Sequence, residues 1–399
     1  MLKKKEFLHY SKQCIDRTDL KCIEKVLKSD FLTTGPEVKK FENKLSNYVG
    51  AKYAVVCSNG SVALYLACLS LNLPKGTKII IPSITFAAAA NVAKMLNFKI
   101  IFCDVESTSG LVTKNILEKT IIENKIKKGL FLPVHLNGQA VDLPETSKVC
   151  KKYGISIIED ASHALGTKIM KNQKMSKIGS CDYSKMTTFS FHPVKNITMG
   201  EGGAITTNDK TLYEKIILLR NNGIQRDPKF FSNKSAYDKN NILNPNHYEI
   251  QSIGLNFRAS DLNCALGSSQ LNKIEKFIIK RKKIVERYDE KFSDLADILK
   301  PVKKFNFCNT SYHLYVVLID FEKIDVTRAH VMSQLKNRNI GVQVHYPPLH
   351  LQKIYGYSKK LSGSEEYYRK CLSLPLFPQL TFNDVDYVVK HIKNLINKI

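Results

Sequence analysis

Apolar residues recur at helical spacing through Asp19-Leu20-Lys21-Cys22-Ile23-Glu24-Lys25-Val26-Leu27, so the stretch to about Lys28 is expected to be a helix. Ser29-Asp30 ends it, and Gly35-Pro36 forbids helical continuation. A second amphipathic pattern covers residues 36–49. From Lys52 onward the period changes. Short apolar runs at 53–57, 78–81, 100–103, 130–134, 155–158, 187–191 and 204–207 read as strands. Helices are expected between them at 62–71, 87–96, 113–124 and 143–153. Strands interleaved with helices in this way predict a mostly parallel seven-stranded sheet covered on both faces. The class is α/β.

A further helix is expected at 212–221, after which residues 223–246 lack periodicity, carry several Asn and Lys, and read as a mobile loop. The pattern resumes with a long basic helix at 262–291, an alternating strand at 312–317 and a closing helix at 384–399. Two domains are expected. The large one spans residues 1–245 with the N-terminal helical segment, and a smaller C-terminal α+β domain spans 246–399.

Composition narrows the class further. A hydrophobic share of 43% and a charged share of 24% are those of a soluble globular protein. No apolar run reaches membrane-spanning length, and Met1-Leu2-Lys3-Lys4-Lys5-Glu6 lacks the apolar core of a signal peptide. A cytoplasmic location without a membrane partner is expected. The ten cysteines form no Cys-x-x-Cys pair, and no His-rich spacing accompanies them, so reduced thiols and no metal are expected. The formal charge of +25 invites a nucleic-acid reading. Yet only nine of the 61 basic residues are arginine, and no zinc finger, RNP-like aromatic motif or basic arm goes with them. No nucleic-acid partner is expected; such a field instead favours anionic substrates.

Candidate chemistry concentrates in Thr188-Phe189-Ser190-Phe191-His192-Pro193-Val194-Lys195-Asn196, which runs on to Gly200-Glu201-Gly202-Gly203. A lysine on a loop among apolar and aromatic neighbours loses ammonium stability, and a neutral amine attacks aldehydes. Asp160 ends a strand in Glu159-Asp160-Ala161-Ser162-His163, where α/β sheets point side chains into a ligand crevice. Ser58-Asn59-Gly60-Ser61 lies between a strand and a helix, the layout of a phosphate cradle; Ser61 is either a phosphate-contacting hydroxyl or the helix cap. No Gly-x-Gly-x-x-Gly turn follows any strand, which argues against a nicotinamide cofactor.

These segments resemble the DegT/DnrJ/EryC1/StrS family of pyridoxal-phosphate sugar aminotransferases. Ser-Phe-His-Pro-Val-Lys followed by Gly-Glu-Gly-Gly is closest to the branch acting on UDP-4-keto-6-deoxy-N-acetylhexosamines in pseudaminic acid synthesis. Further matches are Ser58-Asn59-Gly60-Ser61, His135-Leu136-Asn137-Gly138-Gln139, Glu159-Asp160-Ala161-Ser162-His163 and Gly254-Leu255-Asn256-Phe257-Arg258. The resemblance implies fold type I and pyridoxal 5'-phosphate carried by Lys195, with pyridoxamine phosphate as the alternate form. It places Asp160 at the ring nitrogen, Phe86 against the ring, His163 beside both, and Gly60, Ser61 and Ser190 around the phosphate. It implies a homodimer in which Asn256 reaches the neighbouring site. Thr33, Arg226, His345 and Tyr346 are its substrate-contact candidates. From the residues alone, Phe86 reads as core, His163 could equally be core, and Thr33, His345 and Tyr346 could equally be structural. The implied reaction moves the amino group of L-glutamate to the C4 keto group of UDP-2-acetamido-2,6-dideoxy-β-L-arabino-hexos-4-ulose. Its alternatives are the D-xylo epimer or another nucleotide keto sugar, and a non-catalytic regulator on the same scaffold. A related dehydratase branch carries histidine at the cofactor-lysine position, so Lys195 favours transamination.

Overall fold

Asp16 opens the first helix: its carboxylate accepts the backbone N–H of Thr18 at 2.9 Å, and Asp19 reaches back to the Asp16 N–H at 3.0 Å. We describe a computed structural model covering residues 6–171 and 173–396. The Met1-Leu2-Lys3-Lys4-Lys5 start and residues 397–399 of the expected closing helix lie outside the described residues. Helix α1 (Arg17–Leu27) is followed by α2 (Pro36–Val49), which takes proline at its first turn and stops at Gly50, φ 83°. The α2 face carrying Phe41, Leu45 and Val49 is buried, each such side chain contributing about 1.5–3 kcal/mol.

The α/β core follows in alternation: β1 (Tyr53–Cys57), α3 (Gly60–Ser70), β2 (Lys78–Pro82), α4 (Ala88–Met95) and β3 (Lys99–Cys103). Next come α5 (Lys114–Glu123), β4 (Gly129–Phe131), α6 (Leu143–Lys152) and β5 (Ile155–Asp160). A hairpin of β6 (Lys168–Lys171) and β7 (Lys174–Lys177) precedes β8 (Met186–Ser190), β9 (Gly203–Thr207) and α7 (Lys210–Arg220). One seven-stranded sheet results, in the order β1-β9-β8-β5-β4-β2-β3. Its members are the seven runs expected from the sequence. Only β9 runs antiparallel to its neighbours. Alternation along β2 sends Ile79 and Ile81 to the layer with α3 and α4, and Ile80 to the layer with α5 and α6.

The expected loop at 223–246 is tied down at its ends: β10 (Ile224–Gln225) pairs with β11 (Glu249–Ile250), and the Glu249 carboxylate accepts the N–H groups of Ser232 and Asn233 at 2.8 and 2.7 Å. Two expectations need correction. The long basic helix is two helices, α8 (Asp261–Leu271) and α9 (Ile274–Phe292). The break is held by buried Asp19, which accepts from Ser269, Gln270 and Lys273 at 2.6, 2.8 and 2.6 Å. The strand expected at 312–317 begins only at Tyr315, because Tyr312 takes a left-handed φ of 51°. The β6–β7 hairpin was not expected at all; its lysine-flanked strands lack the alternation that marks a half-buried strand.

The C-terminal portion adds β12 (Leu299–Pro301), β13 (Cys308–Asn309), β14 (Tyr315–Ile319), α10 (Arg328–Lys336), α11 (Ser362–Lys370), β15 (Cys371–Leu374) and α12 (Phe382–Ile396). An antiparallel sheet β12-β14-β15 packs with α9, α10 and α12 in a second apolar cluster that includes Leu8. Among the described residues no helix is long and apolar enough to cross a membrane.

Candidate active site

The carboxyl ends of β1, β2, β5 and β8 open on a cavity of about 730 Å³, the place where parallel sheets present ligand-binding side chains. After β1, Asn59 caps α3 by accepting the N–H of Val62 at 2.9 Å. The cap is therefore Asn59 and not Ser61, which leaves the exposed Ser61 hydroxyl to line the cavity. Gly60 passes so close to Ser190 that an added Cβ would lie 2.8 Å from the Ser190 Cβ. Gly203 has the same need, since its Cβ would meet the Asn59 carbonyl at 2.2 Å. The two glycines let β8, β9 and the α3 start converge on one point, with the N-terminal amides of α3 facing it.

Asp160, buried at the end of β5, accepts the Ser162 N–H at 3.0 Å and lines the cavity floor. Lys195 lies on the loop after β8, half-buried. Burial lowers its amine from the ordinary 10.5 to about 8, and the Asp160 carboxylate opposes that fall. On the far wall, the Asn137 N–H donates to His163 Nδ1 at 3.3 Å, so the ring proton sits on Nε2 and is donated to the Tyr346 hydroxyl oxygen at 3.2 Å. The Tyr346 O–H is thereby directed away from His163. Desolvation holds the His163 imidazole well below its usual range, with Lys195 adding to the effect, and burial keeps the Tyr346 phenol protonated. His345 also lines the cavity; its Nδ1 lies 2.8 Å from the Ser373 hydroxyl, and burial lowers it to about 3. Phe86 is 59% exposed and faces Tyr346 at 6.1 Å between ring centroids, so it is no core residue in the single chain.

The structure thus gathers Gly60, Ser61, Phe86, Asp160, His163, Ser190, Lys195, His345 and Tyr346 around one cavity. Thr33, Arg226 and Asn256 do not line it. Thr33 pairs with Ser260, the Arg226 guanidinium sits over the Tyr248 ring at 5.3 Å, and Asn256 is exposed beside Asn221. Sequence reasoning missed His313, whose buried ring packs tilted against His163 at 4.2 Å between centroids, and Tyr10, which joins the cavity wall from before α1. Neither sits in a spacing that signals chemistry. His135 was visible only as part of a turn, and it binds the buried Glu159 carboxylate at 2.9 Å beneath the floor.

The donor set fits pyridoxal phosphate on observations of the fold itself. A tight glycine-lined cradle stands at a helix start, a carboxylate lies on the floor beside a low-pKa lysine, and the buried Thr85 hydroxyl in the cavity wall has no hydrogen-bond partner among the described residues. Comparison with known proteins agrees. The DegT/DnrJ/EryC1/StrS aminotransferase family matches residues 13–393. The chain belongs to that family. Its enzymes are pyridoxal-phosphate-dependent sugar aminotransferases of the type I fold, and this chain is one of them. A UDP-4-amino-4,6-dideoxy-N-acetyl-beta-L-altrosamine transaminase of Campylobacter jejuni is 34% identical over 396 residues, 98% of each chain. The Bacillus subtilis spore coat polysaccharide biosynthesis protein SpsC is 30% identical over 400 residues, covering 99% of this chain and 98% of its own. Among solved structures, Helicobacter pylori PseC, an aminotransferase of pseudoaminic acid biosynthesis, superposes with a TM-score of 0.88 at 29% identity, covering 99% of this chain and all of its own.

Proposed function

We propose that this DegT/DnrJ/EryC1/StrS aminotransferase transfers the amino group of L-glutamate to C4 of UDP-2-acetamido-2,6-dideoxy-β-L-arabino-hexos-4-ulose, giving a UDP-4-amino-4,6-dideoxy sugar for pseudaminic acid synthesis. The observation that carries the chemistry is the Lys195 amine, lowered to about 8 beside Asp160 in a cavity of about 730 Å³. Likeness along nearly the whole chain to the Campylobacter transaminase supports the sugar.

When bound, pyridoxal phosphate supplies an aldehyde that accepts the amine and a ring that stores the electron pair released at the substrate carbon. Lys195 would hold the cofactor and, with its amine free, would take the proton from the donor carbon and return it. An amine near 8 both takes and returns a proton close to neutral pH. Asp160 holds the proton at the ring nitrogen. Phe86, 59% exposed on the cavity lining, would pack against the ring. Gly60, Ser61 and Ser190 bind the phosphate, and in a homodimer the exposed Asn256 completes that contact in the neighbouring site. Neutral His163 fixes Tyr346, which orients the sugar together with His345. Thr33 and Arg226 lie outside the cavity of their own chain and serve, in this reading, at its subunit boundary.

The test is a single turnover on the pyridoxamine form with each C5 epimer of the UDP-4-keto sugar, followed by return of the visible cofactor band. Faster return with the L-arabino epimer supports the assignment. Faster return with the D-xylo epimer moves the enzyme to the bacillosamine or legionaminic acid route. No return with either removes the sugar class.

A further inference from the structure

Ser83 follows β2 directly, three residues before Phe86, and is fully buried. It makes three bonds to the segment after Tyr346. The Leu349 N–H donates to the Ser83 carbonyl at 2.9 Å, and the His350 N–H donates to Ser83 Oγ at 3.3 Å. Ser83 Oγ also lies 2.6 Å from His350 Nδ1, and because Glu365 offers the other ring nitrogen only a carboxylate acceptor, Nδ1 is the side of the ring that accepts the Ser83 proton. The ring proton of His350 then sits on Nε2 and faces Glu365 Oε1 at 3.3 Å. Glu365 belongs to α11, whose first turn is tied to the end of β3: Asp104 accepts from the N–H of Gly363 at 2.9 Å and from Ser364 N–H and Oγ at 2.6 and 2.7 Å.

A serine, histidine and carboxylate in series resemble a hydrolytic triad in composition only. Ser83 has no exposed surface, His350 is 3% exposed, and neither lines the cavity beside Phe86. No substrate carbonyl can reach the serine, so a nucleophilic role is ruled out by access. What the three groups do share is location. They join the strand end that carries Thr85 and Phe86 to the loop that carries His345 and Tyr346, the two opposed lips of the cavity.

We infer that His350 is a positioning residue: held between Ser83 and Glu365, it sets the gap between Phe86 and Tyr346, and so the orientation of whatever ring lies between them. The inference rests on reading that cavity as the cofactor and sugar site. A buried hydrogen bond through an imidazole suits this role, because it is directional and costly to leave half-made.

The test uses the full-length holoenzyme in four variants: Ser83→Ala, His350→Leu, the double variant, and His350→Asn, whose amide oxygen can still accept from Ser83. The readouts are the visible circular dichroism of bound pyridoxal phosphate, which reports ring orientation, its Kd, and KM against kcat for the keto sugar. Ser83→Ala and His350→Leu should each weaken the dichroic band and raise Kd or KM about tenfold, the worth of one buried hydrogen bond. The double variant should lose clearly less than the sum of the single losses, since both singles remove the Ser83–His350 link. His350→Asn should recover most of the band. Wild-type dichroism and KM with only a lowered Tm, or additive losses in the double variant, overturn the inference. If His350→Leu does not fold, Ser83→Ala alone decides on the same readouts. Should neither keto sugar turn over even in the wild type, the substrate assignment fails while dichroism and Kd still judge the clamp.

Discussion

The lowered Lys195 amine makes a quantitative prediction about cofactor capture. Only the neutral amine attacks the aldehyde of pyridoxal phosphate. With an ordinary value of 10.5, about 0.03% of the group is neutral at pH 7; at about 8, roughly 9% is. The ratio is about 300-fold, and it comes from desolvation of the half-buried lysine against the partial counterweight of Asp160. The assay mixes cofactor-free enzyme with pyridoxal phosphate between about pH 6 and 10 and divides each capture rate by that of a free alkyl amine at the same pH. Division removes the titration of the cofactor itself. The ratio should hold level up to about pH 8 and then fall about tenfold per unit, because the free amine keeps gaining neutral form while Lys195 has none left to gain. Asp160→Asn should move the bend to lower pH, since the carboxylate is the group that raises Lys195. A ratio level to pH 10 would refute the reasoning: Lys195 would then titrate as a solvated lysine.

Three further outcomes follow from the packing. Gly60→Ala places a Cβ 2.8 Å from that of Ser190, an overpacking of about 1–3 kcal/mol that should weaken cofactor binding about 5- to 150-fold in an equilibrium titration; an unchanged Kd contradicts the cradle. Glu42→Ala strands the Arg220 guanidinium, bound at 2.6 Å with side chains 4% and 13% exposed, and should cost about 3–5 kcal/mol in urea unfolding. His163, His313 and His345 are held neutral by burial, His345 at about 3. The unfolded chain therefore binds more protons below about pH 6.5, and stability should fall as pH drops through that value, by about 1.4 kcal/mol per unit for each imidazole. A midpoint flat between about pH 6 and 4 would contradict neutral burial of the three rings.

What the sequence disclosed and what it hid have physical causes. The seven sheet strands are buried on both faces, so their apolar runs announce them without reference to the rest of the chain. The β6–β7 hairpin carries no such signal, and the break between α8 and α9 depends on Asp19, some 250 residues away. Local motifs likewise delivered Asp160, Lys195 and the Gly60 turn, because each sits where a strand gives way to a loop facing the crevice. Tyr10, Thr85, His313 and the Ser83–His350–Glu365 series become visible only when distant segments are brought together. Asn256 was legible as a motif, yet in the single chain it is exposed and stands apart from the cavity.

The central claim is that Lys195 carries the cofactor. Reduction of the holoenzyme with borohydride, followed by peptide mapping, tests it directly. The account predicts a single stable phosphopyridoxyl adduct on the peptide spanning Phe191 to Met199, at Lys195. An adduct on another lysine, or a visible cofactor band that survives in Lys195→Ala and reduces elsewhere, would contradict it.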